Sequence, residues 1–327
     1  ITITGTFLSG ATIVKVGGVP ATNVVAVNST TVTAVTPAGS VGAASVEVTG
    51  AKGTATATNA FLYIAIVVPT WATLLEAFPD PAVVTDANLR AAIMASGFAW
   101  RVRDNAANIE MLLVPGGTFM MGCSPGDAEC SGDESPLHQV TLTNAFYMGK
   151  TEVTQAQWTA VMGSNPSYFQ PPSYTLDINR PVEQISWNTI QGFNSATGLR
   201  LPTEAEWEFA CRAGTITARY GVLNDIAWHT SNAGGTTHTV ATKLPNALGL
   251  YDTIGNVWEW CQDWYGPYSS GTVTNPTGPA DGSYRLLRGA CWINNGNYPD
   301  DRRASQRGLV PPSIGYLYHG FRAARNP

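Results

Sequence analysis

The sequence is poor in charge, since only 13% of its 327 residues are Asp, Glu, Lys or Arg. Globular domains usually contain roughly 25% of such residues. The net charge of −5 provides no general attraction to nucleic acid or to an anionic membrane. No apolar run approaches the length of a membrane span, which takes about 18 residues. We therefore expect neither nucleic acid as a partner nor insertion of this chain into a membrane.

The sequence also lacks an initiator Met and a signal peptide, because it begins at Ile1 inside strand-like sequence. This start favours a mature or trimmed chain, so export has to be inferred from composition. Thr, Ala, Val, Gly and Asn take the place of charged residues, which is typical of β-rich extracellular proteins. We expect an extracellular or cell-surface location.

Cysteine occurs five times, so at least one thiol has no partner within the chain. Cys123 and Cys130 bracket a Gly/Pro/Asp loop that suits a small disulfide, and two exposed thiols are the alternative. Cys211 and Cys261 lie in apolar, Trp-rich sequence and should be buried, either free or paired with each other. Cys291 is the residue left over.

The length suits two domains, and hydrophobic residues at 44% are sufficient for two cores. Residues 1–65 alternate apolar and polar side chains in short stretches such as Thr31–Val35, with Gly, Asn and Ser between them. This period of two predicts an all-β, immunoglobulin-like sandwich. For residues 66–103 we predict a helical connector, in which Ile93 follows a cap at Thr85 or Asp86.

Residues 104–327 combine many short strands and long loops with a few helices, which indicates an α+β domain. Thr154 and Gln157 have the spacing of a capping box, as do Thr203 and Glu206. Each pair therefore predicts the start of a helix. The four histidines are scattered and lack the spacing of a metal site.

Both segments resemble known families. Residues 1–65 resemble a bacterial IPT/TIG domain along their whole length, which implies a spacer or adhesion module. From about residue 108 onward, the order of six motifs resembles the formylglycine-generating enzyme and sulfatase-modifying factor family. These motifs are EVTQAQW, RPVEQISWN, GLRLPTEAEWEFACRAG, GLYDTIGNVWEWCQDWY, YRLLRGACW and GFRAAR. The resemblance implies a variant of the C-type lectin fold, preceded by the sandwich, in a bacterial protein.

The same resemblance argues against the oxidase chemistry of that family. Its enzymes bind copper through two cysteine thiolates after the RGGS motif, and thiolates are the soft ligands that Cu(I) prefers. In the matching segment, RGACWINNGNYP, those positions are Asn294 and Pro299. An amide and an imino acid supply neither a thiolate nor a redox couple. We therefore expect no copper and no enzymatic activity.

The resemblance also implies a structural calcium ion at the loop that enters GNVWEW. Its ligands would be the carboxylates of Asp252 and Glu259 and the carbonyls of Gly255 and Val257. Calcium prefers hard oxygen ligands of this kind. The alternative is that both carboxylates only accept hydrogen bonds from loop amides or pair with arginine.

The segment 290–319 departs from the family pattern. Where the family has Asn-rich loops before the final GFR, this chain has apolar and aromatic residues at 309–310 and 314–318. The retained family positions, which we expect to be buried or hydrogen-bonded, are Trp292, Arg303, Arg307, Phe321 and Arg322.

With this departure, the segment resembles those of variable proteins of diversity-generating retroelements. Such retroelements rewrite C-terminal segments of this kind by mutating adenines of a template. An Asn codon with two adenines can become Tyr, His, Asp, Ser, Ile, Leu, Val or Gly, which are the residues found here. A Ser codon that begins with adenine can become Cys, which would account for Cys291. Ala290 in place of Gly needs a different template residue.

A cluster of Tyr and aliphatic side chains in a Pro- and Gly-broken loop has the composition of a protein-binding surface. We therefore predict a non-catalytic receptor or adhesin for an unknown protein or cell-surface ligand. The alternatives are a drifted loop without a binding function and a structural or regulatory homologue. The predicted binding residues are Ala290, Cys291, Ile293, Asn294, Asn295, Asn297, Tyr298, Asp300, Gln306, Leu309, Val310, Ser313, Ile314, Tyr316, Leu317, Tyr318 and His319.

Overall fold

Strands predominate in the computed structural model, which describes residues 1–293 and 302–327. The chain divides into two compact units, Ile1–Ile66 and Val67–Pro327. This division lies beside the predicted boundary at residue 65. No helix among the described residues is long and apolar enough to span a membrane.

The first unit is built from strands alone. They are β1 (Thr2–Thr4), β2 (Ala11–Val16), β3 (Val19–Pro20), β4 (Thr22–Asn28), β5 (Thr31–Val35), β6 (Gly42–Gly50) and β7 (Gly53–Tyr63). Two antiparallel sheets have the strand orders β1–β5–β4 and β3–β2–β6–β7. Side chains alternate between the faces of a strand, so Val14 and Val16 of β2 and Val46 and Val48 of β6 are buried together with Val32. The predicted sandwich is confirmed.

The second unit mixes strands and helices. Its strands are β8 (Ala72–Glu76), β9 (Arg101–Asp104), β10 (Glu110–Val114), β11 (Gly117–Met121), β12 (His138–Leu142), β13 (Phe146–Gly149), β14 (Trp258–Trp264), β15 (Val273–Thr274), β16 (Arg285–Arg288), β17 (Arg307–Val310), β18 (His319–Gly320) and β19 (Ala324–Arg325). Its helices are α1 (Ala87–Ala95), α2 (Gln155–Met162), α3 (Trp187–Thr197), α4 (Glu204–Arg212) and α5 (Leu223–Ile226). The sheets have the orders β19–β13–β10–β9–β8, β11–β12–β15 and β17–β16–β14–β18.

Both predicted capping boxes are present. The hydroxyl of Thr154 accepts a hydrogen bond from the N–H of Gln157 at 3.2 Å, and the Gln157 side chain accepts from the N–H of Thr154 at 2.9 Å. Thr203 and Glu206 make the same two bonds at 3.1 and 2.9 Å. Helices α2 and α4 therefore begin where the sequence predicts, because each box satisfies two backbone donors at a helix start.

The predicted connector, residues 66–103, is only partly helical. Helix α1 begins behind Asp86, whose carboxylate accepts a hydrogen bond from the N–H of Leu89 at 2.8 Å. Ala72–Glu76, however, forms β8, which pairs with β9 at the edge of the five-stranded sheet. Trp100 and Val102 are buried as well. The segment is thus part of the second domain, because it contributes both a strand and core side chains.

We expect a fragment of residues 67–327 to fold cooperatively and a fragment of residues 105–327 to be much less stable. The shorter fragment loses β8, β9 and the buried side chains of Trp100 and Val102, and a large buried side chain alone contributes about 3–5 kcal/mol. Thermal unfolding followed by circular dichroism compares the two. Equal melting temperatures would show that residues 67–104 are a dispensable connector.

Candidate ligand-binding site

Two strand pairings position the C-terminal segment. Strand β17 is antiparallel to β16, with Arg307 opposite Arg288. Strand β18 is parallel to β14, with His319 opposite Trp258. Residues 311–318, between β17 and β18, have no regular secondary structure. They form an irregular loop whose two ends are attached to the same sheet.

Buried arginines attach this sheet to helix α4. Arg307 Nε and Arg288 Nη1 both donate to the Glu204 carboxylate, at 2.7 and 3.0 Å. Arg288 also pairs with Glu208, one turn further along α4. Burial raises the pKa of Glu204, but Arg307 and Arg288 more than offset this and hold the pKa below its usual value. The carboxylate therefore remains ionised and paired at neutral pH.

Arg303 attaches the segment to the disulfide loop. Cys123 and Cys130 form a disulfide with an S–S distance of 2.04 Å, as their spacing predicts. Arg303 donates to both carboxylate oxygens of Glu134, at 2.5 and 2.7 Å, and to the carbonyl of Glu129 at 3.0 Å. The ring closed by this disulfide contains Glu129, and Glu134 follows it by four residues. The disulfide loop and the residues next to it thus supply the acceptors that fix the buried Arg303 guanidinium.

Aromatic packing completes the scaffold. Phe321 is fully buried, with its ring 6.0 Å from that of Trp158 and 5.4 Å from that of Phe193. Trp292 is 4% exposed and meets Phe169 edge to face at 5.3 Å. All the positions expected to be scaffold are buried, namely Trp292, Arg303, Arg307, Phe321 and Arg322.

The predicted binding residues fall into four groups. Ser313, Ile314 and Tyr316 are exposed. Ile293, Leu309, Leu317 and Tyr318 are half-buried. Ala290, Cys291, Gln306, Val310 and His319 are buried. Asn294, Asn295, Asn297, Tyr298 and Asp300 lie outside the described residues, as does Pro299.

The expectation of solvent accessibility is wrong for Gln306, Val310 and His319. Residues 307–310 form strand β17 rather than a loop, so Val310 is buried while its neighbour Leu309 is partly exposed. Gln306 lies in the turn that leads into β17 and is 2% exposed. His319 belongs to β18 and packs against Trp260 at 5.4 Å. Pairing with the sheet, which a short sequence pattern does not reveal, places these side chains inside.

Ala290 and Cys291 require a second correction, because both are buried directly after β16. Ala290 has a φ of 61°, a left-handed conformation that glycine adopts without strain and alanine does not. This backbone accounts for the glycine that the family pattern has here. The thiol of Cys291 donates to the carbonyl of Ile293 at 3.1 Å, and burial raises its pKa to about 12. Neither side chain is available to a ligand.

The two other free cysteines, Cys211 and Cys261, are buried and unpaired. Burial raises the pKa of Cys211 to about 12 and that of Cys261 well above its usual value. The described cysteines therefore offer disulfide sulfur or protonated thiols, and none of them presents the thiolate that copper or a nucleophilic mechanism requires.

The exposed loop presents two stacked tyrosines. The rings of Tyr316 and Tyr318 are 5.4 Å apart with 20° between their planes. Both meet His319 edge-on, at 5.1 and 4.8 Å. Burial lowers the pKa of His319 to about 3, so this supporting ring is uncharged at neutral pH. Packing of this kind restricts the tyrosine rings, so that less side-chain entropy is lost when a partner covers them.

Two further tyrosines near this loop were missed at the level of sequence. Tyr168 is 49% exposed, Tyr174 is half-buried, and their rings are 5.6 Å apart. The signal that points to them is the Pro/Tyr-rich stretch PSYFQPPSYT. Prolines and tyrosines in an irregular stretch indicate a loop that displays aromatic side chains.

One of the two carboxylates that the resemblance assigns to calcium, Glu259, is engaged by donors of the chain itself. Within residues 1–293 and 302–327, no group of three or more His, Cys, Asp or Glu residues could hold a metal ion. The Glu259 carboxylate accepts hydrogen bonds from Arg322 at 2.7 and 3.1 Å and from Trp207 at 2.7 Å. Asp252 accepts from the N–H of Ala241 and keeps one buried oxygen without a partner. Donors of the chain therefore occupy Glu259, whereas one buried oxygen of Asp252 remains open, and the calcium site stays a prediction.

Arg322 supplies the positive charge in this loop instead. It donates to Glu259 and also to the carbonyls of Gly149 at 2.8 Å and Tyr251 at 2.7 Å. One guanidinium thereby joins β13, β14 and the loop between α5 and β14. The geometry favours the alternative that the sequence left open, in which the acids pair with arginine and with loop amides.

One more acidic group, Glu152, shares this buried region with Asp252 and Glu259. Glu152 accepts hydrogen bonds from the N–H of Val257 at 3.0 Å and from Asn256 at 2.7 Å. The N–H of Gly255 donates to the carbonyl of Gly289 at 2.8 Å. Burial raises the pKa of Glu152 well above its usual value and that of Asp252 to about 6. Amide groups of the loop at 256–257 therefore bind Glu152, a carboxylate that is not among the calcium ligands inferred from the resemblance.

We expect chelation by EGTA to leave the melting temperature unchanged and Arg322→Gln to destabilise the protein strongly. Removing one partner of a buried ion pair leaves an uncompensated charge, which costs about 3–5 kcal/mol. Arg101→Gln is the control, because Arg101 lies the same 2.7 Å from Glu76 but is 27% exposed; an exposed pair contributes at most about 1 kcal/mol. A melting temperature that falls with EGTA and recovers with calcium would restore the calcium site.

The sandwich and the α+β domain with its irregular C-terminal loop define a class of protein, the C-type lectin-like domains preceded by an immunoglobulin-like module. More specifically, the chain belongs to the family described as sulfatase-modifying factor enzyme 1-like domain, whose model matches residues 98–327. The IPT/TIG domain model matches residues 1–63. Both resemblances inferred from the motifs are confirmed.

Solved structures show the same fold. Treponema denticola variable protein 1 is 30% identical with a TM-score of 0.58, and the likeness covers 67% of this chain and 95% of that protein. PvdO from Pseudomonas aeruginosa is 25% identical with a TM-score of 0.58, over 69% of this chain and 98% of that protein.

Curated relatives include an enzyme that this chain covers almost completely and a larger protein that it covers only in part. The formylglycine-generating enzyme of Streptomyces coelicolor is 29% identical over 300 residues, which are 72% of this chain and 94% of the enzyme. The serine/threonine-protein kinase pkn1 of Chlamydia pneumoniae is 36% identical over 242 residues, 66% of this chain and 38% of the kinase. The chain thus spans well under half the length of that kinase.

The scaffold and the exposed loop should respond differently to substitution. We expect Phe321→Ala to destabilise the second domain by about 3–5 kcal/mol, because it empties a buried aromatic site. Ile314→Ser and Tyr316→Ala should each change stability by no more than about 0.5 kcal/mol, because both side chains are exposed. Urea unfolding measures all three. Loss of folding in Tyr316→Ala would mean that the loop belongs to the core.

Proposed function

We propose that this chain is a non-catalytic ligand-binding protein whose C-terminal segment is diversified by a retroelement. The observation that carries the proposal is the division within residues 302–322. Arg303, Arg307, Phe321 and Arg322 are buried, whereas Ile314 and Tyr316 between them are exposed on an irregular loop. Such a loop can change its exposed side chains without changing the fold.

The identity of the exposed residues supports binding. Tyr316 and Tyr318 offer large, restricted aromatic surfaces, and Leu317 and Ile314 add aliphatic contacts beside them. Tyrosine is enriched where proteins bind one another, because it provides much contact area for little entropy lost. Similarity to Treponema denticola variable protein 1 supports a variable protein of the same fold.

Several observations speak against catalysis. The positions that carry the family's copper thiolates are Asn294 and Pro299. Cys291 stands three residues before the first of them, and its thiol is buried and bonded to a carbonyl. Formylglycine-generating enzymes are nevertheless among the relatives, so oxidase activity is the second candidate and is tested below.

The partner is a protein or another ligand on a cell surface, and the chain acts outside a bacterial cell or on its surface. The disulfide of Cys123 and Cys130 supports this location, because such bonds persist in oxidising compartments. An IPT/TIG sandwich as the first unit suits a spacer that presents the second domain.

We expect the gene to lie near a reverse transcriptase gene and an imperfect repeat of the codons for residues 290–319. The repeat should differ from the coding copy only where the template has adenine, and those differences should include the codons of Ile314, Tyr316, Leu317 and Tyr318. Sequencing the locus from independent isolates tests this. Differences spread over all template bases would refute diversification.

The oxidase alternative has its own measurement. The purified chain, loaded with Cu(I) and supplied with oxygen and a sulfatase peptide, should convert no cysteine to formylglycine above a blank. Mass spectrometry of the peptide detects the product. An authentic formylglycine-generating enzyme under the same conditions is the control, and turnover by this chain would overturn the non-catalytic assignment.

A further inference from the structure

Residues 164–180 form a second irregular loop, which we call the constant loop because it lies outside the segment 290–319. Tyr168, Leu176 and Ile178 in this loop are 49%, 67% and 49% exposed. Exposed apolar side chains in one irregular loop are typical of a contact surface. Retroelement diversification of residues 290–319 would leave them unchanged. We call residues 311–318 the diversified loop.

A pair of consecutive residues connects the two loops. Glu183 accepts a hydrogen bond from the N–H of Phe169 in the constant loop at 3.0 Å. Gln184 donates its N–H to the carbonyl of Tyr316 in the diversified loop at 3.0 Å. Gly315 lies so close that an added Cβ would be 2.9 Å from the Gln184 carbonyl carbon. The two loops are therefore neighbours, joined through one pair of consecutive residues.

Side chains make a second connection. The ring of Phe169 meets Tyr168 at 5.3 Å and Tyr174 at 4.9 Å. The same ring meets Trp292 at 5.3 Å, and Trp292 Nε1 donates to the carbonyl of Leu317 at 3.4 Å. Two buried rings in contact therefore underlie the exposed residues of both loops.

Hydrogen bonds hold the constant loop in place. The hydroxyl of Ser167 accepts from the N–H of Glu183 at 3.2 Å, and Gln170 donates to the carbonyl of Ser167 at 2.6 Å. Asn165 donates to the side chain of Gln155 in α2 at 2.9 Å. A loop ordered before binding loses less conformational entropy when a partner covers it.

We propose that Tyr168 and Tyr174 form a constant rim of the binding face and contact each partner that the diversified loop selects. The inference rests on the proposed function. Tyrosine is one of the residue types enriched among the few interface positions that carry most of the affinity. The rim would supply a share of affinity that diversification does not alter.

The chemistry of the face points to an uncharged area on a folded protein as the partner surface. In the part of the face that the structure describes, the rim and the exposed diversified residues are Tyr, Ile, Leu and Ser. Asp177 and Arg180 of the constant loop pair with each other at 3.5 Å. A charged group pressed against this surface would lose hydration without a counter-charge, which disfavours it.

The test uses the full chain displayed on phage, with Ser313, Ile314, Tyr316, Leu317 and Tyr318 randomised. Binders are selected against two probes, streptavidin and the strongly basic hen lysozyme. We expect binders to arise more often against streptavidin. In several unrelated binders, Tyr168→Ala or Tyr174→Ala should weaken affinity at least about tenfold. Tyr168→Phe, which keeps the ring, should retain most of the affinity.

Phe7→Ala is the matched control, because Phe7 is an aromatic residue 76% exposed in the first unit; it should leave affinity unchanged. Melting temperatures of all variants confirm that the domain remains folded. If neither Tyr168→Ala nor Tyr174→Ala changes the affinity of the binders, the proposed rim is refuted and the proposed function stands. A library that yields no binder to either probe would overturn the proposed function together with the rim. A majority of binders against lysozyme would refute the uncharged partner surface.

Discussion

Buried arginine–glutamate pairs are the interactions on which the C-terminal half of this protein depends. Arg288 and Arg307 share Glu204, Arg303 is held by Glu134, and Arg322 is held by Glu259. Removing such charges from water is expensive, so each pair stabilises the fold only because further hydrogen bonds to carbonyls complete its geometry. Most of those carbonyls belong to loops and turns, such as those of Glu129, Tyr251 and Gly266. Long irregular loops are thereby fixed by side chains that lie beneath them rather than by their own sequence.

On the proposed function, this arrangement separates folding from recognition along one short stretch of chain. The guanidinium groups and Phe321 fix where residues 311–318 leave and rejoin the sheet, whereas the side chain of Tyr316 is exposed between these two points. The separation is incomplete, however. Val310 and His319 belong to the segment that codon chemistry marks as changeable, yet both are buried. Diversification at these two positions would alter packing beneath the loop rather than contacts above it.

The sequence predicted the features that depend on local chemistry. Capping boxes at Thr154 and Thr203, the small disulfide loop and the alternating strands of the first unit all follow from neighbouring residues. The predictions from sequence were wrong where pairing with a distant segment determines whether a residue is in a strand and buried. Residues 307–310 are too short a stretch to show a strand period, and only pairing with β16 buries Val310. Residues 72–76 become a strand in the same way, by pairing with β9.

The calcium ligands illustrate the same limit in electrostatic terms. A motif reveals which residues carry oxygen but not which cation meets them, and here Arg322 arrives from a segment 63 residues away. A guanidinium provides charge together with directed donors, so it joins one carboxylate and two carbonyls at once. A covalently attached cation also holds the loop independently of any bound ion. On the proposed function, in which the recognition surface changes while its frame must not, a frame that carries its own counter-charges is the more dependable arrangement.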